Sequence, residues 1–185
     1  ADSTFSLASA VGNGGALLAS GLGSVLQLTG VQLTGSNSSG SVGGGDIFVS
    51  GQASLLASAL TSIGATAING AGGFLAVTGN SVVELVDDIS LTGCSAGTDG
   101  GCIAVLEASI ASVRGVTVNL ASASGNGGAF VASGLGSVLQ LAEATLTSCG
   151  AGSGGCLAVL SAGNVSIADS TFSLASAVGN GGALL

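Results

Sequence analysis

A Gly-Gly pair returns seven times along this chain, each time just ahead of a short apolar run. The pairs are Gly14-Gly15, Gly44-Gly45, Gly72-Gly73, Gly100-Gly101, Gly127-Gly128, Gly154-Gly155 and Gly181-Gly182. Successive pairs lie 30, 28, 28, 27, 27 and 27 residues apart. A period this even marks a structural unit repeated along an axis. One such unit is too small to bury an apolar face alone, whereas a stack of units buries a continuous one.

Three alternating segments fit within each unit. After the Gly pair come Leu17-Leu18-Ala19, Ile47-Phe48-Val49 and Ile103-Ala104-Val105. Further on come Leu26-Gln27-Leu28, Val83-Glu84-Leu85, Leu139-Gln140-Leu141 and Val165-Ser166-Ile167. The third segment reads Val31-Gln32-Leu33, Ile89-Ser90-Leu91 and Val116-Thr117-Val118. Apolar–polar–apolar is the period of a strand with one face buried. The expected fold is therefore all-β: a right-handed parallel β-helix, or β-solenoid, with three strands per coil of 27–30 residues and about six coils. The right hand follows from coil length and the general crossover rule. Gly-Asn-Gly-Gly at Gly12 to Gly15, Gly125 to Gly128 and Gly179 to Gly182 suits a tight corner, with Asn13, Asn126 and Asn180 in turn roles.

A longer repeat overlies the first. Residues 168–185 reproduce residues 1–18 letter for letter, at a shift of 167 residues. Leu7 to Leu28 also matches Leu120 to Leu141 at 19 of 22 positions. The reading is one six-coil block over 1–167, with 168–185 opening the next identical block. Neither end shows a capping helix, and an uncapped solenoid suits continued stacking by a neighbouring block or copy.

Alternation predicts what faces outward. The third segment is expected to present Ser6, Gln32, Ser62, Ser90, Thr117, Thr145 and Ser173, and the second Gln27, Glu84, Gln140 and Ser166. The first breaks the pattern with an apolar stripe of Leu18, Phe48, Ala76, Ala104, Val131, Ala158 and Leu185. A contiguous outward stripe of this kind is expected to be covered by a partner chain, with Leu18, Phe48, Val131 and Leu185 as the lateral contacts.

Four cysteines fall in two equivalent corners, Cys94 with Cys102 and Cys149 with Cys156. Coil five carries Ser122 and Ala129 at the matching places. Pairing across that coil would span about twice ~4.8 Å, beyond the ~7 Å Cα limit. Bridges Cys94–Cys102 and Cys149–Cys156 are therefore expected, and with them an oxidising, extracellular or cell-surface setting. Asn37-Ser38-Ser39 and Asn164-Val165-Ser166 match the N-glycosylation sequon, with Asn37 on an expected protruding loop and Asn164 at a strand edge.

The Gly-Gly-Ala-Leu runs at Gly14 to Leu17 and Gly181 to Leu184, with the variant Gly127 to Phe130, resemble the GGA-aliphatic repeats of polymorphic outer membrane protein type. Those repeats occur in bacterial, algal and protist surface proteins. The resemblance implies a right-handed β-helix used in structure or adhesion at a cell surface.

Residue inventory narrows the function classes. The chain has one cation, Arg114, against nine carboxylates, and no His. That balance disfavours nucleic acid as a partner. The missing His and scattered carboxylates disfavour catalysis, and without CxxC pairs or His a zinc site is disfavoured too. No cofactor is expected. Asp87-Asp88 reads as a corner, and Arg114 is within reach of Asp88 one coil away. Gly and Ser interrupt the uncharged stretch before Asp46, which is no membrane span. The expected function is a structural segment of an extracellular filament, fibre or surface stalk, not an enzyme. The alternative is a surface adhesion or binding module for glycan or ice using the Ser/Thr ladder.

Overall fold

The computed structural model describes residues 3–185; Ala1 and Asp2, the first two residues of the expected block, lie outside the described residues. The described chain contains strands and no helix. Among the described residues every strand pair is parallel, and each strand pairs with its counterpart one coil away. The chain is a parallel β-solenoid of about six turns, as the period predicts. Coils are numbered here by their Gly pairs, coil 1 carrying Gly14-Gly15 and coil 7 Gly181-Gly182.

The first face is a six-stranded sheet of Leu17–Ser20, Ile47–Ser50, Leu75–Val77, Ile103–Leu106, Phe130–Ser133 and Leu157–Leu160. The second and third faces merge, because Val25–Thr34 and Ser54–Ile63 each run round the corner between them. One feature exceeds the expectation. A further two-residue strand follows the third face, as in Ser9–Ala10, Asn37–Ser38, Thr66–Ala67 and Ser95–Ala96. Each coil thus has a short fourth side.

Inside, like residues stack in columns. Leu28, Ala57, Leu85, Val113 and Leu141 follow one another on the second face. Leu33, Leu91, Val118 and Leu146 lie in one inward column of the third, all buried. Burying such side chains contributes roughly 1.5–3 kcal/mol each.

The Gly pair divides two tasks. The first glycine takes a left-handed conformation, as at Gly100 (φ 61°) and Gly127 (φ 64°), where a side chain is strained. The second cannot carry a Cβ because the next coil is in the way. A Cβ on Gly101 would strike the carbonyl of Gly128, and one on Gly128 the carbonyl of Gly155. Gly15, Gly45, Gly73 and Gly155 meet the same obstacle in their own next coils.

Gly128→Ala therefore has to push two coils apart and is expected to cost roughly 1–3 kcal/mol. Gly12, where an added Cβ has nothing within 4 Å, is the control. Gly12→Ala is expected to stay within about 0.5 kcal/mol of the parent. Chemical denaturation of the two variants checks this; equal midpoints would remove the stacking role assigned to the second glycine.

Candidate functional site

The Gly corner also organises the interior. Backbone hydrogen bonds link Ala16, Asp46, Phe74, Cys102, Ala129, Cys156 and Ala183 from coil to coil. On the opposite side of the corner the matching column runs Ala8, Ser36, Ala65, Cys94, Ala121 and Cys149. Each coil thereby faces one residue toward another across the corner, forming a rung. The rungs pair Ser36 with Asp46, Cys94 with Cys102, and Cys149 with Cys156, with Ala or Phe elsewhere.

In coil 6 the rung is covalent. Cys149 and Cys156 are joined with a Cα–Cα distance of 4.9 Å. In coil 4 the structure departs from the expected second bridge: Cys94 and Cys102 are buried free thiols in hydrogen-bond contact. The corner of coil 4 is one residue longer, Ser95 to Gly101 against Gly150 to Gly155. Burial, then the Cys94 contact, pushes the Cys102 thiol up, which leaves it a poor nucleophile in place. The coil-five counterpart of Cys149 is Ala121, one residue from the expected Ser122.

Coil 2 holds a polar rung that alternation did not reveal. Asp46 is fully buried, and one carboxyl oxygen accepts a hydrogen bond from Ser62 Oγ. Ser36 flanks the carboxyl without completing a bond in this geometry; Asp46 Oδ1, Ser36 Oγ and Ser38 Oγ have no partner. No cation approaches, since Arg114 pairs with Glu143 on the surface at 2.9 Å. Burial therefore raises the Asp46 carboxyl to about 6, against hydrogen bonds that pull it down. Among the described residues, no group of three or more His, Cys, Asp or Glu is placed to hold a metal ion.

The outer faces follow the expected ladders in part. Gln27, Leu56, Glu84, Ser112, Gln140 and Ser166 align on the second face, as predicted for Gln27, Glu84, Gln140 and Ser166. On the third face the outward column is Thr4, Gln32, Thr61, Ser90, Thr117, Thr145 and Thr171. Ser62 points inward, where its short side chain leaves room for Asp46. Ser6 and Ser173 belong to a second outward column with Thr34, Ile63, Thr92, Asn119 and Thr147.

The expected apolar stripe is not an open surface. Phe48 is 8% exposed, and Ala76, Ala104, Val131 and Ala158 are fully buried. The cover is the chain itself. The first glycine of each corner lies over the next coil's stripe: Gly14 over Phe48, Gly100 over Val131, Gly154 over Leu185. No partner chain is needed at Phe48 or Val131. Leu18 and Leu185 remain exposed, on the first and last coils. Exposed apolar residues lie instead on the second face, where Val82 and Ile110 are adjacent and Ser54 separates them from Val25.

Asp87 and Asp88 form a corner, both at positive φ. Arg114 pairs with Glu143 instead of Asp88, an exposed contact that contributes little. Asn37 is not on a protruding loop: it lies in a two-residue strand and accepts a hydrogen bond from Ser9 Oγ at 2.8 Å. The extra residues of coil 2 are absorbed at the corner, where Asn13 Oδ1 accepts bonds from the N–H groups of Val42 and Gly43. Asn164 begins a strand and is exposed, so it is the more accessible sequon. No described helix is long and apolar enough to cross a membrane.

The Asp46 environment sets a pH dependence of unusual sign. Its folded value near 6 lies above the ordinary 3.8, so the folded state holds its proton more tightly. The associated stability is complete below about pH 4 and is lost as pH rises through 6, a change of about 3 kcal/mol. Denaturation midpoints measured from pH 4 to 7 should fall in the parent, and Asp46→Asn should flatten the profile. A parent profile that rises with pH over this window contradicts the assignment. No family model, curated protein or solved structure matches the chain.

Proposed function

We propose that this chain is a structural segment of an extracellular filament, fibre or surface stalk, built by end-to-end stacking of coils. The supporting observation is the coincidence of sequence repeat and coil register. The 167-residue shift corresponds to six coils, and residues 171–185 continue the ladder on coil 6 without a break. On this reading 1–167 is one block and 168–185 opens the next. No enzymatic role is assigned: the interior is filled by side chains and the polar rungs are sealed from solvent.

The resemblance to GGA-aliphatic surface repeats supports the same reading. Ala8 and Ala175 stand where that repeat type carries the Asn of Phe-x-x-Asn. Ala8 is the inward half of a rung whose other half is Ala16, so a small pair fills the corner in place of a polar one.

An extracellular setting further implies that the coil-4 rung oxidises to match coil 6, giving both Cys94–Cys102 and Cys149–Cys156. Each short closed loop would add about 2–3 kcal/mol. Alkylation of the denatured, unreduced native protein should then label no cysteine. Two labels would show the coil-4 rung to be reduced and would count against an oxidising compartment. Glycans, if attached, are expected at Asn164 ahead of Asn37.

A second reading is favoured by the third face. Its two straight outward columns are mostly Ser and Thr and carry no charge, an array suited to a repetitive neutral surface such as glycan or ice. Thermal hysteresis and glycan binding, each lost on Thr117→Lys, would favour this reading. For the structural reading, imaging of native material should show a filament with an axial period of roughly 29 Å per block, six rises of ~4.8 Å. Discrete globular particles bearing the intact sequence would argue against it.

A further inference from the structure

Coil 2 buries three polar side chains on columns that are apolar in the coils that follow. Ser36, Asp46 and Ser62 are all sealed from solvent. One coil on, the same columns hold Ala65, Phe74 and Leu91. Two coils on, they hold Cys94, Cys102 and Val118. Ser62 Oγ donates to one carboxyl oxygen of Asp46, so that pair is satisfied. The other carboxyl oxygen, Oδ1, has no partner, and neither has the Ser36 hydroxyl that flanks the carboxyl.

The surrounding chain has little left to offer these two atoms. The nearby backbone groups are committed to the ladder between coils. The N–H groups of Asp46 and Ile47 donate to the Phe74 carbonyl, the Asp46 carbonyl accepts from Ala16 and Leu17, and the Ser36 carbonyl accepts from Thr66. Arg114, the one Lys or Arg side chain present, is engaged at the surface with Glu143. A buried polar group without a partner is rare, because folding strips it of hydrogen bonds to solvent and returns nothing.

We propose that the coil-2 rung binds one internal water, which bridges Asp46 Oδ1 and Ser36 Oγ. Side-chain size makes room for it. Where coil 3 accommodates a Phe and a Leu, coil 2 places a carboxyl and a hydroxymethyl group, and a close-packed interior does not leave such a deficit empty. Two polar partners are enough to hold a buried water. Water both donates and accepts, so it serves Oδ1 whether or not the acid carries its proton. A metal ion suits the site less well, since among the described residues no group of three or more His, Cys, Asp or Glu stands together. The bridge ties the two sides of the Gly corner through solvent in coil 2, at the place where coil 6 ties them through Cys149–Cys156.

Magnetic relaxation dispersion of the water signal, on the full 185-residue chain, counts the waters that outlive molecular tumbling. Nuclear Overhauser cross-peaks from water locate them. The expected result is cross-peaks to the β-protons of Ser36 and Asp46 in the parent. Ser36→Val, whose methyl groups take the water's place, should hold one long-lived water fewer. Asp46→Asn, whose amide still reaches the water, should keep the parent count. Equal counts in the parent and a folded Ser36→Val would overturn the site. Should Ser36→Val not fold, the parent cross-peaks decide alone: their absence means a direct Ser36–Asp46 hydrogen bond and overturns the bridge. A signal that disappears when sodium is replaced by tetramethylammonium would also overturn it, by giving the site to a monovalent cation.

Discussion

The close approach of successive glycines at one corner is the constraint on which this structure depends. From Gly15 to Gly155, the second glycine of each pair packs against the carbonyl of the same glycine one coil on. That contact admits no side chain, and it holds the corner at the strand spacing of the flanking sheets. Its partner, the left-handed glycine, turns the backbone back over the first face. One dipeptide thus determines both how closely coils stack and what covers the first sheet. The regular period in sequence is the imprint of this contact, since a corner that admits only glycine must find glycine at every turn.

Much of the fold was legible for that reason. The spacing of Gly pairs counted the coils, and apolar–polar–apolar triplets located the three long faces. Register along the third face was less legible. Ser62 sits between Thr61 and Ile63, and alternation there reads equally well in either phase; only pairing with Leu33 and Leu91 decides that it faces inward. Asp46 was hidden for a related reason. A period-two pattern assigns inward slots to apolar residues, and the hydroxyls that accommodate a carboxyl arrive from Ser62 on another face. The cover over Phe48 and Val131 was illegible because alternation tracks one strand's own faces, whereas the cover comes from the glycine backbone of the corner and, around Val131, from Leu106 and Leu160. The short fourth side, a two-residue strand, is too brief to show any period.

The rungs across the Gly corner make the solenoid chemically uneven despite its even geometry. Coil 6 is closed by a disulfide, coil 4 by a facing pair of thiols, and coil 2 by a carboxylic acid among hydroxyls. The remaining rungs are Ala or Phe. A covalent rung restrains its corner in the unfolded chain, whereas the Asp46 rung favours the folded state more when it carries a proton than when it is ionised. The coil-2 rung is accordingly the one that responds to pH. Outside, the chain offers long flat faces in place of a deep cleft, and its charges are few and dispersed. Such surfaces suit repetition and extended contact, which is the physical link between this fold and a structural role.

The central claim is that coils advance along one axis in strict order, with strands parallel throughout. Pulsed dipolar spectroscopy on spin labels placed at outward second-face positions tests it most directly, using a non-natural amino acid to spare the native cysteines. Gln27 and Gln140 lie four coils apart and Gln27 and Ser166 five, so the account predicts separations of roughly 19 and 24 Å from the ~4.8 Å strand spacing. A Gln27–Ser166 separation equal to or shorter than the Gln27–Gln140 separation would mean that the chain folds back on itself, and would contradict the account.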